Sequence, residues 1–251
     1  MEAYEIISAV RSGKRPTAAL FIERLFDSFI ELYGDRSFAD DPAIVGGIAL
    51  LGEMPVTVIA IEKGSSVDER VKRNFGSAKP EGYKKALRLM KQAEKFGRPI
   101  LTIIDTPGAY SGMEAEERGQ GYAISNNLLN MISLKTPIIS LFIGEGGSGG
   151  ALALAVSDEV WILEGAVYSV ISPEGAASIL WKDSSKADEA ANYLKLTADE
   201  LDKLKVVDKI IKESGPFYSR LKKDISKKFT SLLTLDGEEL IDKRYARFRK
   251  Y

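Results

Sequence analysis

The sequence predicts an α/β fold in one continuous domain of 251 residues. Three observations carry that expectation. Apolar runs of strand length alternate with amphipathic runs of helix length, no low-complexity linker or fixed-period repeat interrupts them, and 45% apolar content is enough for a large core. In chain order, residues 1–33 are expected to be helical, because Ile22, Leu25, Phe26, Phe29 and Leu32 recur at three- and four-residue spacing. Two β-rich runs, 43–51 and 55–61, are split by Gly52-Glu53, a hairpin turn. A basic loop over 63–79 leads to a helix from Pro80, with Tyr83, Leu87, Met90 and Ala93 in one apolar stripe and Gly97 ending it. A short buried strand follows at 100–104, then a loop over 105–112 and a helix over 116–134. The order repeats with a strand at 137–143, a glycine-rich turn, a helix over 149–156, strands at 159–163 and 167–171, and a helix opening at Ser172-Pro173-Glu174. Thr197 and Glu200 fit a capping box, 206–211 reads as a last strand, and 216–251 is a polar helical tail with Phe217, Leu221, Ile225, Phe229 and Leu232 inward. The domain 1–251 thus divides into a helical segment 1–33, a core 34–215 and a helical tail 216–251.

Composition excludes several chemistries. There is no cysteine, hence no disulfide, thiolate zinc site or cysteine nucleophile, and no histidine. A chain without imidazole cannot by itself run a Ser-His-Asp triad, so catalysis must use carboxylates, lysine, backbone dipoles, or groups brought by a cofactor or partner. No apolar run approaches the roughly 20 residues of a membrane span and no leader is recognisable, so a cytoplasmic protein is expected. Between residues 63 and 98 there are 11 Lys/Arg against 4 Asp/Glu. Lys84, Lys85, Arg88, Lys91 and Lys95 read as the solvated side of a helix, with attraction of phosphates as the other reading. No aromatic-basic nucleic-acid motif accompanies them.

The segment Gly144-Glu145-Gly146-Gly147-Ser148-Gly149-Gly150 lies between a buried strand and a helix. So many glycines imply close backbone approach or positive φ, and N–H groups at a helix start suit an anion. The same letters satisfy several patterns. Gly144, Gly146 and Gly149 match a dinucleotide fingerprint, with Glu164 about 20 residues on as its ribose acid; on motif rules alone this reading leads. Gly146 to Gly150 fit a nucleophile elbow around Ser148, reduced to a Ser-Lys form by the missing histidine. A phosphate loop lacks its lysine motif, and a tight turn with no ligand is the plainest reading.

Longer motifs carry more. Arg73-Asn74-Phe75-Gly76, Pro80-Glu81-Gly82-Tyr83, Asp105-Thr106-Pro107-Gly108-Ala109-Tyr110, Glu116-Glu117-Arg118-Gly119-Gln120, the run 144–151 and Tyr168-Ser169-Val170-Ile171-Ser172-Pro173-Glu174-Gly175 occur in one order. In these the chain resembles the carboxyltransferase α subunits of bacterial acetyl-coenzyme A carboxylases. The resemblance implies a crotonase/ClpP-like superhelix of stacked β-β-α units with helical N- and C-terminal extensions. It implies a zinc-bearing β subunit as partner in an α2β2 assembly, with no metal in this chain, and a biotin carboxyl carrier protein and biotin carboxylase in the same system. The implied reaction moves the carboxyl group of carboxybiotin to acetyl-coenzyme A, giving malonyl-coenzyme A for fatty-acid synthesis. Biotin itself then serves as the base, in keeping with a chain that has no histidine. By position, Gly149 and Gly150 would be the catalytic N–H donors, with Gly146, Gly147, Ser148, Gly108, Ala109 and Tyr110 lining the biotin side. Lys63 and Arg73 are candidates to steer the coenzyme or the carboxylate. A bulky residue at Gly149 or Gly150 is expected to abolish transfer without affecting folding. Ser111 and Glu62 depart from the family, which commonly has proline and a polar amide there. Two other classes stay open: a Ser-Lys peptidase of Clp-like fold using Ser148, and a nucleotide-binding module without catalysis.

Overall fold

The computed structural model describes residues 2–250; residues 1 and 251, the ends of the domain drawn from sequence, lie outside the described residues. The expected helix over 1–33 is replaced by α1 (Ala3–Arg11), α2 (Ala18–Leu25) and strand β1 (Ser28–Glu31). Gly13, at φ 76°, and Pro16 interrupt it, and Phe26 leaves α2 with extended backbone. Phe29, spaced as on a helix, lies instead opposite Ala49 in an antiparallel ladder between β1 and β2 (Ile44–Leu51). Its ring still packs on the core, so the apolar spacing located burial but not backbone. The hairpin of β2 and β3 (Met54–Ile61) forms, with Gly52 at φ 64°.

The basic stretch 63–79 is more than a loop. Ser66 and Glu69 close a reciprocal capping box that starts α3 (Val67–Lys72). Glu69 gathers the Ser65 hydroxyl and the Ser65 and Ser66 N–H groups, which holds its carboxyl down at about 2. Then α4 (Pro80–Lys95) buries the expected stripe, and β4 (Ile100–Thr106) is buried throughout. Gly119, at φ 81°, divides the helix expected over 116–134 into α5 (Met113–Glu117) and α6 (Gln120–Ser133). Next, β5 (Ile138–Gly147) passes directly into a short α7 (Ser148–Leu152), which stops before the expected 156. After β6 (Glu159–Leu163), β7 (Val167–Ser169), α8 (Pro173–Trp181) and α9 (Ala187–Tyr193) comes α10 (Ala198–Lys203). Its expected capping box is not made: the Thr197 hydroxyl donates to the Glu200 carboxylate rather than accepting a backbone N–H. The last strand, β8 (Lys209–Ile211), precedes α11 (Phe217–Leu232) and α12 (Gly237–Phe248), divided where Asp236 caps the second helix.

The strands run in the order β1-β2-β3-β4-β5-β6-β8, antiparallel up to β3 and parallel from there. Strand β5 forks the sheet, since residues 139–142 pair with β6 and residues 145–147 pair with β7. The fork coincides with the glycine-rich segment. Phe21 of α2 packs its ring against Phe217 and Tyr218 of α11, so the tail closes on the body.

Candidate active site

Across the carboxyl ends of β4 and β5, where open parallel sheets place their sites, the register slips. Ile104 pairs with Phe142 but Thr106 pairs with Gly146, leaving β5 two residues longer over that span. Asp105 fills the bulge: its Oδ1 accepts the Glu145 N–H at 2.9 Å, and a Cβ on Gly144 would overlap its carboxylate. Gly147 lies on the Pro107 carbonyl and Gly150 on the Ala109 nitrogen so closely that a Cβ at either would overlap backbone. Gly146 leaves room for the Phe142 and Tyr168 rings, stacked 4.4 Å apart; burial pushes the Tyr168 phenol up to about 12. Close approach, then, explains these glycines, and none of them has φ in the left-handed region. The positive φ of the turn belongs to Ser148, at 50°, a conformation that costs a residue with a side chain roughly 1–2 kcal/mol.

Gly149 and Gly150 stand in the first turn of α7. Gly147 supplies no side-chain cap, so the N–H groups of Ser148, Gly149 and Gly150 have no intrahelical acceptor and carry partial positive charge. The two glycines differ in access. Gly150 is buried, whereas a Cβ on Gly149 would meet only Ile124 Cγ2, at 3.8 Å. Bulky replacement therefore cannot be neutral to folding at Gly150, contrary to expectation; only Gly149 is sterically open. The facing wall is the backbone of Gly108 and Ala109, with Tyr110 next in the loop. It is held by the Tyr110 N–H donating to Ala78 O at 3.0 Å, and by Gln120 Nε2 donating to the carbonyls of Ala78 and Tyr110, both at 2.8 Å. Behind the turn, the buried Tyr83 hydroxyl donates to Gly150 O at 3.2 Å. The stripe reading assigned Tyr83 to the core and gave no signal of this contact; Gln120 appeared only inside a motif.

Of the predicted lining, 108–110 and 146–150 come together, while two cations do not join them. Arg73 donates to Pro42 O at 2.6 Å. Lys63 lies 2.6 Å from Asp105 and 3.8 Å from Glu145, in a cleft of about 240 Å³ shared with Arg11, Arg15 and Arg70. That cleft includes none of Gly149, Gly150, Ala109 or Tyr110. Glu145 in turn pairs with Arg11 at 2.6 Å, which raises the guanidinium's pKa. The basic helix face is also corrected: Lys85 is fully buried between Asp40 and Ile44 O, both at 2.7 Å, and Arg88 donates to Gly34 O at 3.1 Å. Glu62 is buried too, its carboxylate accepting the Ala19 and Gly64 N–H groups at 2.6 Å and so capping α2.

The competing readings lose their residues. Glu164 accepts the Glu213 N–H at 2.7 Å, which ties it to the segment after β8. Lys63 is paired with Asp105 and Glu145 rather than with Ser148. Among the described residues no group of three or more His, Cys, Asp or Glu could hold a metal ion, and no helix is long and apolar enough to cross a membrane.

Comparison with known proteins agrees with this architecture. A family model described as "Acetyl co-enzyme A carboxylase carboxyltransferase-like" matches residues 1–251. The chain is 59% identical to the acetyl-coenzyme A carboxylase carboxyl transferase subunit alpha of Ruminiclostridium cellulolyticum, covering 100% of this chain and 97% of that one. It is 54% identical to a beta/alpha protein of Clostridium tetani, of which it spans 45%, so it corresponds to less than half of that longer relative. Among solved structures, transcarboxylase 12S superimposes with TM-score 0.75 at 19% identity, over 90% of this chain and 43% of that one. The beta subunit of Pseudomonas aeruginosa geranyl-CoA carboxylase superimposes with TM-score 0.70 at 17% identity, over 94% and 46%. At such identities the likeness is one of fold, and it is the crotonase-type arrangement expected from the motifs.

Proposed function

The chain belongs to the acetyl co-enzyme A carboxylase carboxyltransferase-like family, and on that premise we propose that it is the alpha subunit that transfers a carboxyl group from carboxybiotin on a carrier protein to acetyl-coenzyme A. Malonyl-coenzyme A for fatty-acid synthesis is the product. The observation that carries the reading is the entrance of α7, where successive N–H groups lack helical acceptors beside an open glycine and an apolar wall from Ile124. Carboxybiotin supplies both the carboxyl group and the proton acceptor. The Gly149 and Gly150 amides then hold negative charge on the ureido oxygen, and Gly108, Ala109 and Tyr110 close the other side. Backbone donors set by packing need not reorganise as charge develops, which suits a chain without histidine. Lys63 serves this arrangement through Asp105, which shapes β5, rather than by steering ligand.

The beta/alpha relative supports a beta subunit as partner. A zinc-bearing beta chain in an α2β2 assembly would supply the second oxyanion site, for the thioester, with carrier protein and biotin carboxylase acting upstream in the cytoplasm. The donor assignment is tested at Gly149, where an added Cβ meets only Ile124 and where Pro, unlike Ala, removes the N–H. In an alpha–beta complex assayed for carboxyl transfer between malonyl-coenzyme A and biocytin, Gly149→Pro is expected to lose about 10²–10³-fold in kcat relative to Gly149→Ala. Equal turnover by the two variants would remove the amide from the mechanism.

A further inference from the structure

We infer that Tyr83 is a positioning residue for the helix entrance that presents the Gly149 and Gly150 amides, acting one peptide beyond them at the Gly150 carbonyl, an inference that rests on the oxyanion reading above. Helix α7 is five residues long and leaves one carbonyl without a backbone donor: the Ala153 N–H donates to Gly149 O and the Leu154 N–H to Ala151 O, which passes over Gly150 O. The Gly150 carbonyl takes its bond from another element, the Tyr83 hydroxyl of α4, at 3.2 Å. Buried carbonyls are nearly always paired, so this hydroxyl sets the orientation of the peptide that follows Gly150. Gly150 has no side chain to do so, and a Cβ there would stand 3.0 Å from the same oxygen.

The element that carries Tyr83 is itself anchored. Buried Asp41 accepts the Lys79 N–H at 2.7 Å and fills the space that a side chain on Gly82 would need. The first turn of α4 therefore cannot slide along β2 without breaking a buried carboxylate contact. Burial, with a smaller contribution from Asp41, raises the phenol far above the ordinary tyrosine range, so it remains a donor at any working pH. Polar links thus run from Asp41 through α4 to the carbonyl side of the proposed oxyanion turn, using no group that touches substrate.

Tyr83→Phe, which removes one oxygen and keeps the ring, is measured in the alpha–beta complex alongside Gly149→Pro. The expected result is a kcat about tenfold lower with KM for malonyl-coenzyme A within about twofold of wild type, because the donors are displaced and not removed. A merely structural tyrosine would lower the melting midpoint or the yield of complex and leave kcat per complex unchanged, which overturns the inference. Full activity in Gly149→Pro would overturn the oxyanion reading itself, so the two failures are distinguishable. If Tyr83→Phe gives no complex, 3-fluorotyrosine at position 83 keeps ring and hydroxyl while strengthening the donor. A kcat shift of about twofold or more then supports the role, and an unchanged kcat overturns it.

Discussion

Gly147 and Gly149 stand two residues apart on one turn and would respond oppositely to an added methyl group. At Gly147 the new Cβ overlaps the Pro107 carbonyl, which is backbone and cannot rotate away; at Gly149 it meets only Ile124 at 3.8 Å. Urea unfolding of the two alanine variants should show Gly147→Ala losing roughly 1–3 kcal/mol, as overpacked sites do. Gly149→Ala should stay within about 0.5 kcal/mol of wild type. Comparable losses at both would mean that the loop 107–109 does not lie against β5 as described. Sequence alone located this cluster but could not rank its members, because the letters are identical and only the facing backbone distinguishes them. Lys85 shows the converse limit. Its place in a run of cations reads as solvated, and only the fold shows it enclosed by Asp40 and the Ile44 carbonyl.

Among the elements, one residue ties α12 to the end of α6 and the approach to β5. Arg244 of α12 is fully buried; it forms an ion pair with Asp158 at 2.9 Å and donates to the carbonyls of Met131, Leu134 and Thr136 at 2.7, 2.8 and 3.1 Å. It thereby satisfies the C-terminal end of α6 and the approach to β5. Arg244→Ala strands the Asp158 carboxylate and those carbonyls, and should cost about 3–5 kcal/mol. For a domain of this size, at roughly 2–4 °C per kcal/mol, a thermal scan should show a drop on the order of 10 °C. Arg244→Lys should recover little, since an ammonium cannot reproduce the planar fork; near-complete rescue would contradict the assigned role. The elements that sequence reads correctly are those fixed by local chemistry, such as the 52–53 hairpin and the start of α4 on Pro80. It misses β1, where Phe29 and Leu32 keep helical spacing while the backbone pairs with β2, and the division of α5 from α6, which depends on the left-handed Gly119. Both outcomes are decided by partners distant in sequence. The motif-based expectation of a crotonase-type fold was legible because it drew on several long segments in order rather than on periodicity.

At the scale of the whole molecule, one long strand organises the rest. By forking between β6 and β7, β5 delivers its last residues to a helix entrance that is backed by α4, faced by the loop 108–110 and walled by α6. On the proposed function this chain holds one site for negative charge and a partner the second, so catalysis is expected only of the assembly. The most direct measurement is a crystal structure of the alpha–beta complex with biocytin bound. The ureido oxygen is expected about 2.7–3.1 Å from the Gly149 and Gly150 nitrogens, with no ionisable side chain of this chain within hydrogen-bonding reach of the ring nitrogen that carries the carboxyl group. A ring bound instead in the Lys63–Asp105 cleft, or a carboxylate or lysine of this chain bonded to that nitrogen, would contradict the proposed function.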